Sequence, residues 1–315
     1  MTENEMPQTL IDASQHIVLI AHKNPDADSL GAACAFYSYL LRTQKKVTLF
    51  CASTEIDPHL AFLPWFDKLT NRFPKDANLM ISFDCGSFER LGIETELPLI
   101  NFDHHRSNNF YGLINVINTD AISTTEVVYD YFVTNDIKMN GKMALSLYAG
   151  LIEDSKCFRA RGCNVKIFKM AYSLIELGAN HAMCIEWLYH RNSLASLRIR
   201  GILLKQMKLF EDGRLALFEV PLSLLEETGA VVSECKKVLD EALTMRNIQA
   251  SLMVLEQSFG SVKLSLRTNG MVDAAKIMTL FGGGGHMHRA GTHLKQDDYD
   301  ELVKDIKMMI TKELV

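Results

Sequence analysis

The chain has 315 residues, of which 48% are apolar and 23% are charged, a composition typical of globular rather than disordered or fibrous proteins. This length favours two domains. The formal net charge of -5 argues against a broad basic surface for long nucleic acids or anionic membranes, so any anionic substrate is expected to be short.

The seven cysteines are odd in number, scattered and never spaced as C-x-x-C, which argues against a disulfide framework or a zinc knuckle. We expect them to be reduced.

The first residues lack the basic and apolar regions of a secretory leader, and the longest early apolar run, Ile17 to Ala21, is too short to span a bilayer. The sequence therefore predicts a soluble cytoplasmic protein that does not bind a membrane.

Short apolar segments alternate with longer amphipathic ones from Ile17 onward. In order they read IVLIA, LGAACAFYSYLL, VTLF, NLMISF, PLINF and LINVI. This alternation predicts an α/β domain in which a mostly parallel sheet is flanked by helices. NLMISF and PLINF lack polar alternation, so both are predicted to be buried central strands, followed or ended by Asp84 and Asp103. Ligands of such sheets bind beyond the carboxyl ends of the strands, where both carboxylates are expected.

Two helices are predicted after this sheet, in TTEVVYDYFV and KMALSLYAGLIED, and the second ends at Asp154. The pattern from about Asn164 to Phe210 is helical almost throughout, without a strand. Strand-like segments return as RLALFEV, IQASLMVLEQ and SVKLSLRT, followed by a helix from Val272 to Phe281, a four-glycine loop and a terminal helix after Gln296. These patterns predict three parts: an N-terminal domain over 1–188, a helical connector over 189–210 and a smaller α+β domain over 211–315.

A first group of candidate metal ligands lies in HKNPDADSLG, between a predicted strand and a predicted helix. His22, Asp26 and Asp28 fall within seven residues around a turn that contains Pro25, so their side chains can converge. Carboxylates combined with an imidazole favour Mn²⁺ or a similar ion over Ca²⁺. Taken alone, however, the two aspartates are more simply explained as a helix cap and a turn residue.

Further acids and histidines are predicted at the same edge of the sheet. Asp84 follows one central strand, Asp103, His104 and His105 end another, and Asp154 ends a helix. Each residue alone is consistent with a turn or with a solvated surface. Their common position favours a site for two adjacent metal ions.

These motifs resemble those of the DHH phosphoesterase superfamily, which is named for the triplet at 103–105. The superfamily's opening motif, H-x-x-P-D-x-D-x-x-G, is matched without a gap by His22, Pro25, Asp26, Asp28 and Gly31. Its second and fourth motifs are matched by Asp84 and Asp154, and the run SLRTNGMVDAAKIMTLFGGGGHMHRAG resembles the DHH-associated C-terminal domain. The two-domain length is similar to that of NrnA-type enzymes, which are oligoribonucleases for very short RNA and phosphatases of 3′-phosphoadenosine 5′-phosphate (pAp).

The resemblance implies two divalent ions, preferably Mn²⁺, with Mg²⁺ or Co²⁺ as alternatives, that activate a water for phosphoester hydrolysis. It assigns His22 and Asp26 to one ion, Asp28, His104 and Asp154 to the other, and Asp84 to both. His105 is expected to polarise the phosphoryl group or assist the leaving group. Asp103 is expected to orient the triplet.

The resemblance also implies that the C-terminal domain binds substrate. Arg267 matches the superfamily's phosphate-binding arginine. The glycine-rich segment, Gly282, Gly283, Gly284 and Gly285, is expected to form an anion nest beside His286. The expected partners are RNA of about two to five nucleotides and pAp rather than long duplex DNA, and a homodimer is left open.

Some positions depart from the superfamily pattern and leave the substrate preference open. Ala32 replaces a common serine, and Arg289 replaces a common alanine. Lys156 lies in D-S-K-C-F where D-T-G-x-F is frequent, and His288 is an extra imidazole.

A phosphodiesterase of cyclic di-AMP or linear pApA is the alternative enzyme. A catalytically inactive nucleotide sensor is the alternative outside enzymes, but no metal ligand of the motifs is missing. A RecJ-type exonuclease is disfavoured by chain length and charge, and a soluble inorganic pyrophosphatase by the GGGGH run.

Overall fold

The computed structural model describes residues 5–160, 162–257, 260–295 and 299–313. The chain forms two compact units, Met1–Arg191 and Asn192–Val315. The helix Leu194–Gln206 packs inside the second unit, because Ile199 and Leu203 are part of a core of that unit. The predicted limits of a connector over 189–210 stay a prediction.

The first unit is an α/β layer built on a six-stranded sheet. Its strands are β1 (His16–Ala21), β2 (Lys46–Cys51), β3 (Leu69–Thr70), β4 (Leu79–Phe83), β5 (Leu99–Asp103) and β6 (Ile114–Ile117). Its helices are α1 (Glu5–Ala13), α2 (Ala27–Leu40), α3 (Thr124–Thr134), α4 (Gly141–Asp154), α5 (Val165–Glu176) and α6 (His181–Ile185). The strand order is β3-β2-β1-β4-β5-β6 and all neighbours are parallel, which confirms the predicted fold class.

The central strands β1, β4 and β5 are buried along their whole length, which explains their lack of polar alternation. In β1, Ile17 and Leu19 belong to one core, while Val18 and Ile20 belong to the core on the other face of the sheet. The register pairs Ala21 with Phe83 across β1 and β4. The carboxyl ends of the central strands therefore lie side by side.

Helices α2 and α4 pack closely on one face of this sheet, and small residues permit the contact. A Cβ atom added at Gly150 would lie 2.8 Å from the Asp28 Cα atom and 2.5 Å from the Thr125 Cγ2 atom. Such distances are shorter than real side-chain contacts, so the backbone of α4 reaches this position only with a glycine. The close packing places Asp28, in α2, beside the C-terminal part of α4.

The second unit has a mixed six-stranded sheet of order β11-β12-β10-β9-β8-β7, in which only the β8–β9 pair is parallel within the described strands. Its strands are β7 (Lys208–Phe210), β8 (Leu215–Val220), β9 (Ala250–Gln257), β10 (Ser261–Thr268), β11 (Gly284–His286) and β12 (Arg289–Lys295). Its helices are α7 (Leu194–Gln206), α8 (Leu222–Thr228), α9 (Val232–Cys235), α10 (Lys237–Ala242), α11 (Ala274–Thr279) and α12 (Tyr299–Glu313). Residues of α11 and α12 pack on one face, and residues of α7 to α10 pack on the other.

The prediction of a helical pattern up to Phe210 is wrong at its end, because Lys208–Phe210 forms strand β7. This strand pairs antiparallel with β8, so that Leu209 lies opposite Ala216. Three residues are too few to display the alternation that marks a strand, and only pairing with β8 stabilises the extended form. The short helices α1, α8, α9 and α10 were not predicted either. The predicted four-glycine loop is wrong in its second half, because Gly284 and Gly285 belong to β11, which pairs with the equally unpredicted β12.

All seven cysteines are free thiols, and five of them are buried. In the described part of the chain, the helices are too short or too polar to cross a bilayer.

Candidate functional site

The predicted metal ligands of the first unit meet at the carboxyl edge of its sheet. His22 follows β1 directly, Asp84 follows β4, and Asp103 is the last residue of β5. His104 and His105 come next in the chain. Asp26 caps the N-terminus of α2 and Asp28 lies in its first turn, while Asp154 is the last residue of α4.

The side chains form three overlapping groups of donor atoms, each spanning no more than 4.8 Å. The groups are His22 with Asp26 and Asp84, Asp28 with His104 and Asp154, and Asp84 with His104 and His105. The Nε2 atom of His22 is 3.4 Å from the Oδ2 atom of Asp84, and that of His104 is 3.4 Å from the Oδ1 atom of Asp84. Asp84 thus lies between the first two groups.

Backbone carbonyls fix the orientation of two of these histidines. The Nδ1 atom of His22 is 2.8 Å from the Lys23 carbonyl oxygen, and that of His104 is 3.2 Å from the Ala121 carbonyl oxygen. When Nδ1 donates its proton to a carbonyl, the Nε2 atom of a neutral imidazole is available as a ligand. Both Nε2 atoms face carboxylates of the cluster.

The N-terminus of α3 holds Asp28, which is fully buried. Its Oδ2 atom accepts a hydrogen bond of 2.6 Å from the Thr124 amide, and its Oδ1 atom accepts bonds of 2.8 Å from the Thr125 amide and hydroxyl. The Thr124 hydroxyl donates to Asp84 at 3.0 Å. Neither threonine was among the predicted site residues, although Ser123 before them is a recognisable helix cap.

Asp103 directs its carboxylate toward its own segment. Its Oδ1 atom accepts hydrogen bonds from the His104 amide at 2.8 Å and the His105 Nδ1 atom at 2.6 Å, and its Oδ2 atom accepts one of 2.6 Å from the Asn108 amide group. Asn108 also donates to the Cys85 carbonyl at 3.3 Å. Asn108, which was not among the predicted site residues, therefore links the triplet to the segment that follows Asp84.

Asp84 has a left-handed backbone conformation, with φ of +58°, which is uncommon for a residue with a side chain. Its amide donates to the Phe102 carbonyl at 3.0 Å, which continues the pairing with β5 by one residue. The unusual conformation begins where the chain turns away from the sheet. Strain of this kind is concentrated at functional sites.

Burial and mutual repulsion disturb the titration of the carboxylates. Burial, and then repulsion from Asp84, raises the pKa of Asp28 to about 7. Burial and repulsion from Asp28 raise the pKa of Asp154 well above its usual value. Glu153, whose carboxylate accepts a hydrogen bond from the Ala27 amide, has its pKa raised to about 8 by burial and by Asp26.

The pKa values of the histidines are raised, although burial by itself would lower them. Burial opposes protonation of His104, but contacts with Asp84 outweigh it and raise its pKa to about 11. Although burial opposes ionisation of Asp84 as well, hydrogen bonds from His104 and His22 hold its pKa well below the usual value. Buried carboxylates that repel one another, with imidazole nitrogens turned toward them, are a donor set that fits hard or borderline divalent cations.

The predicted substrate-binding residues lie in the second unit. Arg267 is nearly buried in β10, and its Nε atom has no hydrogen-bond partner. Gly284 and Gly285 belong to β11, which pairs with β12, and a Cβ atom at Gly283 would lie 2.3 Å from the Gly291 carbonyl oxygen. The His286 side chain lies outside the described residues. The anion nest and the role of Arg267 therefore stay predictions.

Two family matches cover most of the chain. Residues 16–151 match the DHH family, N-terminal domain, and residues 219–312 match the DHHA1 domain. The chain is 25% identical over 300 residues to the bifunctional oligoribonuclease and PAP phosphatase NrnA of Bacillus subtilis. The aligned region covers 93% of this chain and 94% of that protein. It is 26% identical over 324 residues to the cyclic-di-AMP phosphodiesterase GdpP of the same organism. Here the aligned region covers 96% of this chain but 48% of that protein.

Solved structures share the fold. An exopolyphosphatase-related protein from Bacteroides fragilis superimposes with a TM-score of 0.89 at 19% identity, covering 96% of this chain and 95% of that one. RecJ of Thermus thermophilus in complex with Mn²⁺ gives a TM-score of 0.57 at 12% identity, covering 97% of this chain and 53% of that one. At these identities the likeness is one of fold.

Proposed function

We propose that this chain, a DHH-family phosphoesterase by its DHH and DHHA1 domains, is a metal-dependent hydrolase of very short RNA and of pAp. One observation carries the proposal: three overlapping groups of carboxylates and imidazoles, joined by Asp84 and His104, converge at the carboxyl edge of the first sheet. Parallel sheets bind their ligands at this edge.

Two divalent cations fit the cluster. His22 and Asp26 would hold one, Asp28, His104 and Asp154 the other, and Asp84 both. Bound there, the ions would supply an activated water and stabilise negative charge on the phosphoryl oxygens. The threonine pair at the start of α3 keeps Asp28 and Asp84 in place, since it donates hydrogen bonds to both.

His105 lies beside this cluster with its ring held by Asp103. Burial opposes its protonation, but the hydrogen bond to Asp103 and the charge of Asp84 raise the pKa of His105. The raised pKa favours the protonated imidazole, which can donate to a phosphoryl oxygen or to the leaving group. Asp103 and Asn108 hold the imidazole in one orientation for this task.

The relatives support the substrate class. The NrnA proteins of Bacillus subtilis and Thermus thermophilus match this chain over 94% and 90% of their own length, and both are described as oligoribonucleases and PAP phosphatases. A phosphodiesterase of cyclic di-AMP or pApA is the second candidate, because the sequence identity of GdpP to this chain, 26%, is close to the 25% of the Bacillus subtilis NrnA. The net charge of -5 favours a short anionic substrate over a long one.

The test is a rate comparison on a substrate panel. Purified protein with Mn²⁺ is incubated with labelled RNAs of two to twenty-four nucleotides, pAp, pApA and cyclic di-AMP. We expect the highest kcat/KM on di- to pentanucleotides, with release of AMP from pAp. Faster hydrolysis of cyclic di-AMP than of every RNA would establish the second candidate instead.

Two variants check that the metal cluster carries the activity. Asp84→Ala should abolish turnover and lower the bound Mn²⁺ at both positions, whereas His22→Ala should weaken chiefly one. Asp67→Ala, an exposed aspartate of the same unit, is the control and should behave as wild type. Full activity after chelation of all divalent ions would refute the proposal.

A further inference from the structure

A group of basic side chains lies on one face of the second sheet. Lys263 and Arg267 are in β10, and their register partners in β12 are His293 and Arg289. Side chains alternate between the faces of a strand, so these four share a face. Val262, Leu264 and Leu266 point to the opposite face and belong to a hydrophobic core.

The middle of this arrangement carries no bulky side chain. Between the two basic pairs, Ser265 of β10 lies opposite Gly291 of β12. Lys263 and Arg267 are four residues apart, which corresponds to ~13 Å along a strand. Side chains that stand perpendicular to the sheet at this spacing can contact different phosphates, and an oligonucleotide carries several.

Lys236, which precedes α10, adds a further positive charge to this group. Burial, and then repulsion from Lys263, Arg267 and Arg289, lowers the pKa of Lys236. Burial and repulsion from Arg289 lower the pKa of Arg267 to about 10. We call Lys236, Lys263, Arg267, Arg289 and His293 together the basic face.

Acidic partners are scarce at the basic face. Within the described ranges, its closest ion pair joins the Arg267 Nε atom and the Asp240 Oδ1 atom at 4.0 Å, and this nitrogen has no hydrogen bond. Lys236, Lys263 and Arg289 form no ion pair with any described carboxylate. Lys236, Lys263, Arg267 and Arg289 therefore repel one another, and an anion bound among them would relieve this repulsion.

We propose that the basic face binds successive phosphates of one RNA oligonucleotide, with Arg267 and Arg289 at one end and Lys263 and His293 at the other. The proposal rests on the proposed function and extends it: Arg267 is the arginine that the superfamily motif assigns to phosphate, and the further phosphates of longer substrates lie on Lys263, Arg289 and His293, which the motifs do not assign. In this arrangement a dinucleotide whose phosphate is held by Arg267 leaves Lys263 without a phosphate, whereas a pentanucleotide supplies one.

The test compares Lys263→Ala with wild type on RNAs of two and five nucleotides, as the Mn²⁺ enzyme at several salt concentrations. On the pentanucleotide we expect kcat/KM to fall roughly three- to tenfold at low salt. We also expect the slope of log kcat/KM against log salt to decrease by about 0.7, the value for one contact to a single strand. The dinucleotide should change by less than about twofold.

Matched variants separate this role from a structural one. Lys263→Arg should restore the pentanucleotide rate, and Lys304→Ala in α12, which packs on the other face of the sheet, should leave both rates unchanged. Removal of a repelled charge should not lower the Tm, whereas loss of a structural contact would.

The outcomes distinguish the two proposals. If wild type cleaves both RNAs and Lys263→Ala affects them equally or not at all, the basic face does not bind the extra phosphates. If wild type cleaves no RNA at any length, the proposed function fails, and this inference fails with it.

Discussion

The residues of the metal cluster are titratable groups held close together, and metal binding should therefore be linked to protons. At neutral pH His104, with a pKa raised to about 11, carries a proton, and Asp28, with a pKa of about 7, is partly protonated. A cation that binds these atoms must displace those protons. The apparent affinity for Mn²⁺ should consequently increase as the pH rises from 6 to 8.

Calorimetric titration in buffers of different ionisation enthalpy measures this release. We expect at least one proton per protein at pH 7, and a smaller number for Asp28→Asn, which has no titratable carboxyl group at that position. An affinity that is independent of pH over this range would show that the two groups are not ligands.

Asn108 joins Asp103 to the Cys85 carbonyl, and so we expect it to position His105. Asn108→Ala leaves one Asp103 oxygen without its donor, which loosens the hydrogen bond that orients the imidazole. Losses of about 10- to 100-fold are typical when a residue that orients a ligand or catalytic group is removed. The decrease should appear in kcat, while KM and the Mn²⁺ affinity stay close to wild type.

Asn109→Ala is the matched control, because this neighbouring asparagine is exposed. If Asn108→Ala lowers the Tm and the Mn²⁺ affinity as much as it lowers kcat, the residue stabilises the whole segment rather than His105.

At the scale of secondary structure, the contact between α2 and α4 determines where Asp28 lies. Gly150→Ala inserts a methyl group 2.8 Å from the Asp28 Oδ1 atom, and the helices must separate. Overpacking of this kind costs about 1 to 3 kcal/mol of unfolding free energy. We also expect weaker Mn²⁺ binding, since Asp28 must move with α2.

Gly201→Ala in α7 is the control for this substitution. A Cβ atom there meets no atom within 4 Å, so the change should stabilise the protein by about 0.5 to 1 kcal/mol through helix propensity alone. Chemical denaturation of both variants gives the comparison. A Gly150→Ala protein as stable as wild type would mean that the two helices adapt without displacing Asp28.

At the scale of the whole molecule, the candidate groups divide between the two units. The proposed metal ligands lie between His22 and Asp154, and Arg267 and His286 belong to the second unit. If the second unit binds a part of the substrate remote from the reacting bond, its residues contribute to kcat/KM only for substrates that have this part. Arg267→Ala and His286→Ala should then lower kcat/KM on a dinucleotide or pAp about 10- to 100-fold.

The same variants should keep most of their rate on bis(p-nitrophenyl) phosphate, which has no remote phosphate. His105→Ala should lower the rate on both substrates, because His105 lies beside the metal cluster. If Arg267→Ala lowers the rate on both substrates by the same factor, the arginine acts at the reacting phosphate.

The central strands, the helices around them and the common position of the candidate ligands at one edge of the sheet were predictable from the sequence. Fully apolar strands must be buried on both faces, and the polar residue that follows each must emerge at the same edge. This local rule located Asp84 and the triplet at 103–105 correctly. The gapless motif at 22–31 and the two matched domains explain why the family was already recognisable from the residues.

The groups that hold the cluster in place, and the strands that complete the second sheet, depend on contacts between distant parts of the chain. Thr124, Thr125 and Asn108 are far in sequence from some of the atoms they contact, and no spacing predicts a hydrogen bond over 97 residues such as that from Thr125 to Asp28. Strand β7 exists because β8 is beside it. The basic face arises from the register of β10 with β12, which brings Lys263 to His293 and Arg267 to Arg289. Pairing between distant segments is a property of the folded chain, because the energy that selects it comes from contacts that local sequence does not contain.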